Sequence, residues 1–256
     1  MKSIKVFSVF VFLMSMTSCM SKYYYQVYDV KSVDNSSLQE DNLVFEDEHC
    51  IVTYDLWSEK GFVKLELFNK SDQNIYLDLG ESFFVLNGHA YDYFKNRTTE
   101  SVITHSILKK SNISQITNSI NGSSVRMKEK RVICIPTQSS KSIGEYDINS
   151  IVFRDCELYR YPKKREIRKL SFDSASSPFV VSNRFTYRIG DRKENISLQN
   201  DFYVQSIINL PESKMITYEY DSFCGENSVQ KVARFKESKP NSFYIKYQKS
   251  PSVWKH

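Results

Sequence analysis

Apolar and polar residues alternate along much of the chain, which is the pattern of half-buried β-strands. Three such runs lie in the first half of the sequence, and their apolar members are Cys50, Val52, Tyr54 and Leu56; Val63, Leu65 and Leu67; and Ile75, Leu77 and Leu79. A polar turn at residues 69–72 separates the last two runs. Because no stretch has a convincing helical period, the pattern predicts an all-β fold.

Between these runs and the middle of the chain, the pattern predicts one hairpin, one loop and two more strands. Two strand-like runs flank Asn87-Gly88, a pair suited to a type I′ turn because both positions need positive φ. Residues 96–124 are dominated by Ser, Thr and Asn and predict a long loop. Residues 132–136 predict a strand that ends at proline, and residues 151–153 predict another.

A basic run interrupts the pattern, and it marks the predicted domain boundary. Its members are Arg160, Lys163, Lys164, Arg165, Arg168 and Lys169. Four short strand-like runs follow, at residues 179–187, 202–210, 215–220 and 243–247, with Gly or Pro between them. This spacing predicts β-sandwich architecture. We therefore expect two successive sandwich units, 43–160 and 170–256, joined by a basic linker at 161–169.

The N-terminus has the anatomy of a signal peptide: Lys2 and Lys5, then an apolar run of roughly ten residues, too short for a spanning helix. Residues 16–19, Met-Thr-Ser-Cys, resemble the lipobox of bacterial lipoproteins. The resemblance implies cleavage after residue 18 and acylation of Cys19, and two or three acyl chains give stable membrane retention. The alternative is an ordinary cleaved secretory signal. If Cys19 is acylated, residues 19–42 are the lipid-anchored segment, with residues 22–31 as a candidate edge strand.

Two residue choices near Cys19 bear on location. Met20 stands where Asp marks inner-membrane retention in the best-known sorting system, so an outer-membrane destination is favoured by analogy. Acidic residues directly after the cysteine would resemble a surface-export signal of Bacteroides-type bacteria. Residues 21–25 are Ser-Lys-Tyr-Tyr-Tyr, and the lack of acidic residues favours the periplasmic side.

Loss of Lys2 and Lys5 lowers the formal net charge from +5 to +3, which is too mild for general nucleic-acid binding.

Four further cysteines, Cys50, Cys134, Cys156 and Cys224, remain in the mature chain. In an oxidising compartment they can form one or two disulfides, and four cysteines allow three complete pairings. The sequence does not choose among these pairings. The alternative is that several of them are small, buried apolar side chains.

Several turn and strand motifs resemble uncharacterised outer-membrane lipoproteins of Bacteroides-type bacteria. They are residues 54–57, 68–72, 75–78, 82–84 with Asn87-Gly88, 135–136, 177–179 with Asn183, and 202–204. The resemblance covers most of the mature chain and implies an immunoglobulin-like sandwich, but it carries no known activity. Asp173-Ser174-Ala175 also resembles the O-glycosylation sequon of these bacteria, which implies a glycan on Ser174.

The sequence contains no motif that commits it to catalysis or to a cofactor. The four histidines lack the spacing of zinc ligands, and no Gly-x-Ser-x-Gly elbow presents a serine. The acidic residues that could form a carboxylate pair for glycoside cleavage are Asp78, Glu81, Asp92, Asp155 and Glu157, although solvated strand edges are the default. We therefore predict no metal, no cofactor and no enzymatic activity.

The predicted function is a binding or structural role at the envelope. The basic run is a candidate contact for lipid phosphates or anionic glycans, with a solvated linker as the alternative. Tyr23, Tyr24, Tyr25 and Tyr28 are candidates for stacking on sugar rings or for packing in the core. Expected partners are the membrane through the lipid anchor and an envelope protein or glycan. A glycan-active hydrolase or carbohydrate-binding accessory lipoprotein is the alternative function.

Overall fold

The computed structural model describes residues 23–33, 42–107 and 119–250, so the predicted signal peptide and Cys19 lie outside the described residues. The strands are β1 Tyr23–Ser32, β2 Val44–Glu46, β3 Cys50–Asp55, β4 Phe62–Asn69, β5 Ile75–Leu86, β6 His89–Asp92, β7 Thr98–Ile107, β8 Ser119–Lys128, β9 Val132–Ile135, β10 Ser140–Asp147, β11 Lys169–Ser171, β12 Val180–Ile189, β13 Ile196–Pro211, β14 Ile216–Phe223, β15 Glu226–Phe235 and β16 Ser242–Gln248. One short helix, α1 Glu212–Met215, precedes β14.

Two sheets pack face to face around the main core, which confirms the predicted all-β sandwich. The larger sheet has the order β16-β1-β13-β12-β5-β6, with β11 beside β13 and β9 beside β5. The smaller sheet has the order β10-β4-β3-β2. Alternate residues of β3 and β4 are buried against the larger sheet, among them Tyr54 and Leu65, because side chains of a strand point to opposite faces.

The larger sheet corrects the predicted division into two units. β5 from the predicted first unit pairs directly with β12 from the second, and β1 pairs with both β13 and β16. One core contains buried residues from Tyr28 to Ile245. The basic run therefore does not join two separate sandwiches. Its solvated charges suggested a linker, but Leu158 and Pro162 beside it are buried.

The Asn87-Gly88 hairpin is confirmed, with φ of +49° and +82° at the two turn positions. The long loop predicted at 96–124 is wrong: β7 and β8 pair along their whole length as an antiparallel hairpin, and residues 108–118 between them lie outside the described part. Polar strands of this kind carry no apolar alternation, so the sequence pattern does not reveal them. The strand predicted at 151–153 is also wrong, since this stretch has no strand conformation.

The first strand is an inner strand and not the expected edge strand, because β13 and β16 flank it. Tyr24, Tyr25 and Tyr28 are 6%, 3% and 0% exposed, so they pack in the protein and do not offer rings to a ligand. Tyr28 belongs to the main core, whereas Tyr25 and Val27, on the opposite face, belong to a second, smaller apolar cluster beside Trp57 and Phe235.

Candidate functional site

The predicted basic run divides into three environments. Lys169 pairs with Asp29 at 2.8 Å, and the Arg168 guanidinium lies 5.4 Å from the centre of the Tyr159 ring. Arg160 is half-buried and lines a pocket. The three remaining residues, Lys163, Lys164 and Arg165, are exposed in a turn that we call the basic turn. The run is therefore not a single anionic-surface contact.

Residues 149–162, which we call the Gln26 loop, have no regular structure but are held by buried side chains of the larger sheet. Gln26 of β1 is fully buried and binds both backbone groups of Phe153. Its Nε2 donates to the Phe153 carbonyl at 2.9 Å, and its Oε1 accepts from the Phe153 N–H at 2.7 Å. The side chain thus replaces a missing strand partner, which keeps these buried backbone groups satisfied.

Three more side chains fix the same loop. Asn209 accepts from Gln26 at 2.9 Å and donates to the Tyr159 carbonyl at 3.0 Å. Tyr247 donates to the Arg160 carbonyl. Asn149 closes a turn with Ile151, donating to its carbonyl at 2.6 Å and accepting from its N–H at 3.0 Å. Because amides and hydroxyls of the sheet meet the loop at several points, its backbone is set before any ligand arrives.

Tyr28 completes this network. Its hydroxyl donates to Gln26 Oε1 and accepts from Asn149 Nδ2 at 3.0 Å. Burial raises the pKa of Tyr28 well above its ordinary value, so the hydroxyl stays protonated and remains a donor at any physiological pH. The network therefore has no group that titrates near neutrality.

The Gln26 loop forms one side of an open pocket of about 600 Å³, which we call the arginine pocket. Ile151, Val152, Phe153 and Phe179 supply apolar surface, and Arg154 and Arg160 supply charge. No acidic residue lines it, and neither arginine takes part in an ion pair among the described residues. The Nε of Arg160 is buried without a hydrogen-bond partner.

This combination suits one kind of ligand. A guanidinium presents a planar fork of donors that matches a carboxylate or a phosphate. Apolar walls next to the arginines favour a ligand that carries an apolar group beside its negative charge. The lining of the pocket is thus chemically suited to an anionic, partly apolar molecule.

The predicted disulfides are not formed, since Cys50, Cys134, Cys156 and Cys224 are all free thiols. Cys50 is 1% exposed and packs in the core, as the alternative interpretation had it. Burial raises the pKa of its thiol, and the nearby Asp47 carboxylate adds to that effect, so Cys50 is a poor nucleophile. The other three are exposed and lie on different elements: β9, the Gln26 loop and the β14–β15 turn.

Two of the candidate carboxylates meet, but outside the arginine pocket. Arg131 pairs with Asp78 at 3.2 Å and with Glu81 at 3.1 Å, which makes a partly exposed ion-pair network on β5. Asp155 instead accepts the backbone N–H of Glu157 at 2.8 Å and shapes a turn. Among the described residues, no group of His, Cys, Asp and Glu side chains is arranged to hold a metal ion.

Ser174 is exposed in a turn at residues 174–176. Asp173 stabilises this turn by accepting the backbone N–H of Ser176 at 2.8 Å and its hydroxyl at 2.6 Å. Neither bond uses the Ser174 hydroxyl. Glycosylation of Ser174 stays a prediction.

The sequence interpretation missed two residues on which this site depends. Arg154 lies six residues before Arg160, outside the basic run, and no motif marks it. Gln26 did leave a signal: it is the amide within the strand-forming run 23–28, at the same parity as the core residues Tyr24 and Tyr28. A lone amide on the inward face of such a strand indicates a buried polar partner.

No helix among the described residues has the length and apolar character needed to cross a membrane. Comparisons with protein-family models, with curated proteins and with solved structures found no match.

Proposed function

We propose that this protein is a lipid-anchored binding protein of the bacterial outer membrane, and that the arginine pocket takes a ligand with a carboxylate or phosphate next to an apolar group. The observation that carries the proposal is the pairing of Arg154 and Arg160 with apolar walls on a loop fixed by Gln26. The resemblance of residues 16–19 to a lipobox supports the anchor.

The fixed backbone of the Gln26 loop and the lining of the arginine pocket favour binding over catalysis. The pocket presents donors and apolar surface but no described carboxylate, histidine or thiol that could transfer a proton or attack a substrate. A preformed site also lowers the cost of ordering side chains when the ligand binds. The ligand class includes acidic glycans and anionic lipids, and both occur in an envelope.

The ligand proposal is tested with anilinonaphthalene sulfonate, a fluorescent probe that combines an anionic group with aromatic rings. We expect saturable binding that Arg154→Gln and Arg160→Gln each weaken about tenfold or more, because each removes a charged donor. Arg160→Lys should fall between wild type and Arg160→Gln, since it keeps the charge and loses the fork. Dodecyl phosphate should compete with the probe.

Arg192→Gln is the matched control, because Arg192 is an exposed arginine on the β12–β13 turn, away from the pocket. It should leave probe binding unchanged. Equal binding by wild type and by the Arg154→Gln/Arg160→Gln double variant would refute the proposed ligand site.

The anchor is tested separately. Wild-type protein should incorporate a fatty-acid probe and sediment with membranes, whereas Cys19→Ser should remain unlabelled and be released. Persistent labelling of Cys19→Ser would remove the lipid anchor from the proposal and leave the pocket experiment unaffected.

A further inference from the structure

The position of β1 limits how far the body stands from its proposed lipid. Tyr23, the first residue of β1, follows Cys19 by four residues. Four residues of extended chain span at most about 14 Å. If Cys19 carries the lipid, the end of the larger sheet at Tyr23 therefore lies next to the bilayer.

The strand register identifies what else lies at this end. Tyr23 is opposite Gln248 near the end of β16, and Tyr24 is opposite Pro211 at the end of β13. Tyr161 packs on the same place, with its ring 5.1 Å from Tyr24 and 6.0 Å from Tyr247. The Tyr161 hydroxyl also accepts the backbone N–H of Ser250 at 3.2 Å.

Only Pro162 separates the basic turn from Tyr161, so the turn lies at the same end as Tyr23. Lys163, Lys164 and Arg165 are all exposed. The acidic groups nearby are Glu166, whose carboxylate accepts the backbone N–H of Lys163 at 2.8 Å, Glu212 at the start of α1, and Glu59, whose charge acts on Tyr25 together with that of Glu212. Two further cations offset them: Lys214 in α1 and Lys246, whose Nζ lies 4.3 Å from the centre of the Tyr23 ring. The balance of this end is positive.

We propose that the basic turn contacts anionic lipid headgroups of the membrane in which Cys19 is anchored, and that this contact orients the body on the bilayer. The inference rests on the proposed lipidation for its biological setting. This contact gives the basic turn a role distinct from that of the arginine pocket. Arg160, which lines the pocket, precedes Tyr161 in the chain, whereas the basic turn follows it. The opposite end of β13, at Ile196, then lies about 50 Å farther from the membrane, which is the length of a 16-residue strand.

The test measures sedimentation of the mature chain carrying Cys19→Ser with phosphatidylethanolamine vesicles that contain or lack phosphatidylglycerol. We expect binding only to the phosphatidylglycerol vesicles and weaker binding as salt rises. K163E/K164E should weaken partitioning roughly 30-fold or more, because two attractive charges become repulsive.

R192E/K193E is the matched control, since it makes the same change in net charge on the exposed turn before β13, at the far end of the sheet. It should reduce partitioning only a few-fold. Equal losses in the two double variants would show a non-specific effect of net charge and overturn the orientation. Binding by neither vesicle type would overturn the contact itself.

Thermal unfolding of K163E/K164E and R192E/K193E is the check that each double variant is folded. Fatty-acid labelling at Cys19 and probe binding in the arginine pocket do not involve Lys163 or Lys164. Failure of the vesicle experiment therefore leaves the proposed function standing, and failure of the labelling experiment leaves the vesicle result interpretable.

Discussion

The β14–β15 hairpin and the Gln26 loop are opposites in how they are held. The two strands of the hairpin pair antiparallel over most of their length, yet Tyr218, Tyr220 and Phe223 are 55%, 55% and 84% exposed, and neither strand pairs with a third among the described residues. The Gln26 loop has no strand or helix, yet Gln26, Asn209 and Tyr247 bind its backbone from the buried side of the sheet.

Regular secondary structure and resistance to opening are separate properties. A two-stranded hairpin on its own is only marginally stable in water, because few apolar contacts offset the entropy of ordering it. A loop whose backbone groups bind buried side chains can open only when those groups lose their partners. We therefore expect the irregular segment to be more resistant to hydrogen exchange than most of the hairpin.

The largest effect is expected from Gln26→Leu, which removes the centre of the loop's network. The Phe153 carbonyl and the Asn209 side chain lose partners, the Phe153 N–H keeps only a long 3.4 Å bond to the Tyr28 hydroxyl, and each unsatisfied buried group costs about 1–3 kcal/mol. The free energy of unfolding, measured with urea, should fall by about 4 kcal/mol. Gln230→Leu, the same change on the exposed hairpin, should stay within about 0.5 kcal/mol. Similar losses in the free energy of unfolding of both variants would contradict the expected difference between the Gln26 loop and the hairpin.

An effect of intermediate size on the free energy of unfolding is expected at acid pH. It comes from Asp29, which lies on β1 three residues after Gln26. Burial works to raise the pKa of Asp29, but hydrogen bonds from Lys169, Ser206 and Ser242 outweigh it, and the pKa is lowered. A lowered pKa in the folded state means that the stabilisation is complete above the unfolded value, near 3.8, and is lost as pH falls through the folded value.

Urea unfolding at a series of pH values should therefore show a loss of stability below about pH 4 that is smaller in Asp29→Asn. Asp29→Asn should also be less stable than wild type at pH 7, since the amide cannot form the ion pair with Lys169. Identical acid dependence in the two proteins would show that this carboxylate does not contribute.

The smallest effect is expected from Phe223→Ser at the hairpin tip. Phe223 is 84% exposed, so removing its ring should change the free energy of unfolding by less than about 0.5 kcal/mol. Hydrogen exchange should detect fast exchange at the tip and slow exchange at the Phe153 amide. A loss above 1 kcal/mol would mean that the ring is covered in solution.

The contrast also explains which parts of the fold the sequence predicts. β3, β4 and β5 follow from alternation, because one face of each is buried and the other is exposed or half-buried. β15 escapes prediction because most of it is exposed on both faces, so nothing selects an apolar alternation. The run at 151–153 misleads because its residues favour strands, while its backbone binds Gln26 and Asn149 and no neighbouring strand.

The candidate site was only partly accessible to sequence reasoning for a similar reason. Charge alone pointed to Arg160 and the basic turn, since a basic run is visible in any sequence. The association of Arg160 with Arg154 and Phe179 depends on how the loop folds back over the larger sheet. The domain boundary failed because a solvated basic segment has the composition of a linker even where its neighbours are buried.

Pairing of Tyr23 with Gln248 has a consequence for how the chain reaches its native state. β1 is the first and β16 the last of the described strands, so the larger sheet cannot close until β16 has been synthesised. Native contacts this distant in sequence slow folding, because most of the chain entropy is lost before the pairing forms. A chain that stays open until its synthesis is nearly complete is also one that a translocation channel can thread without first unfolding it.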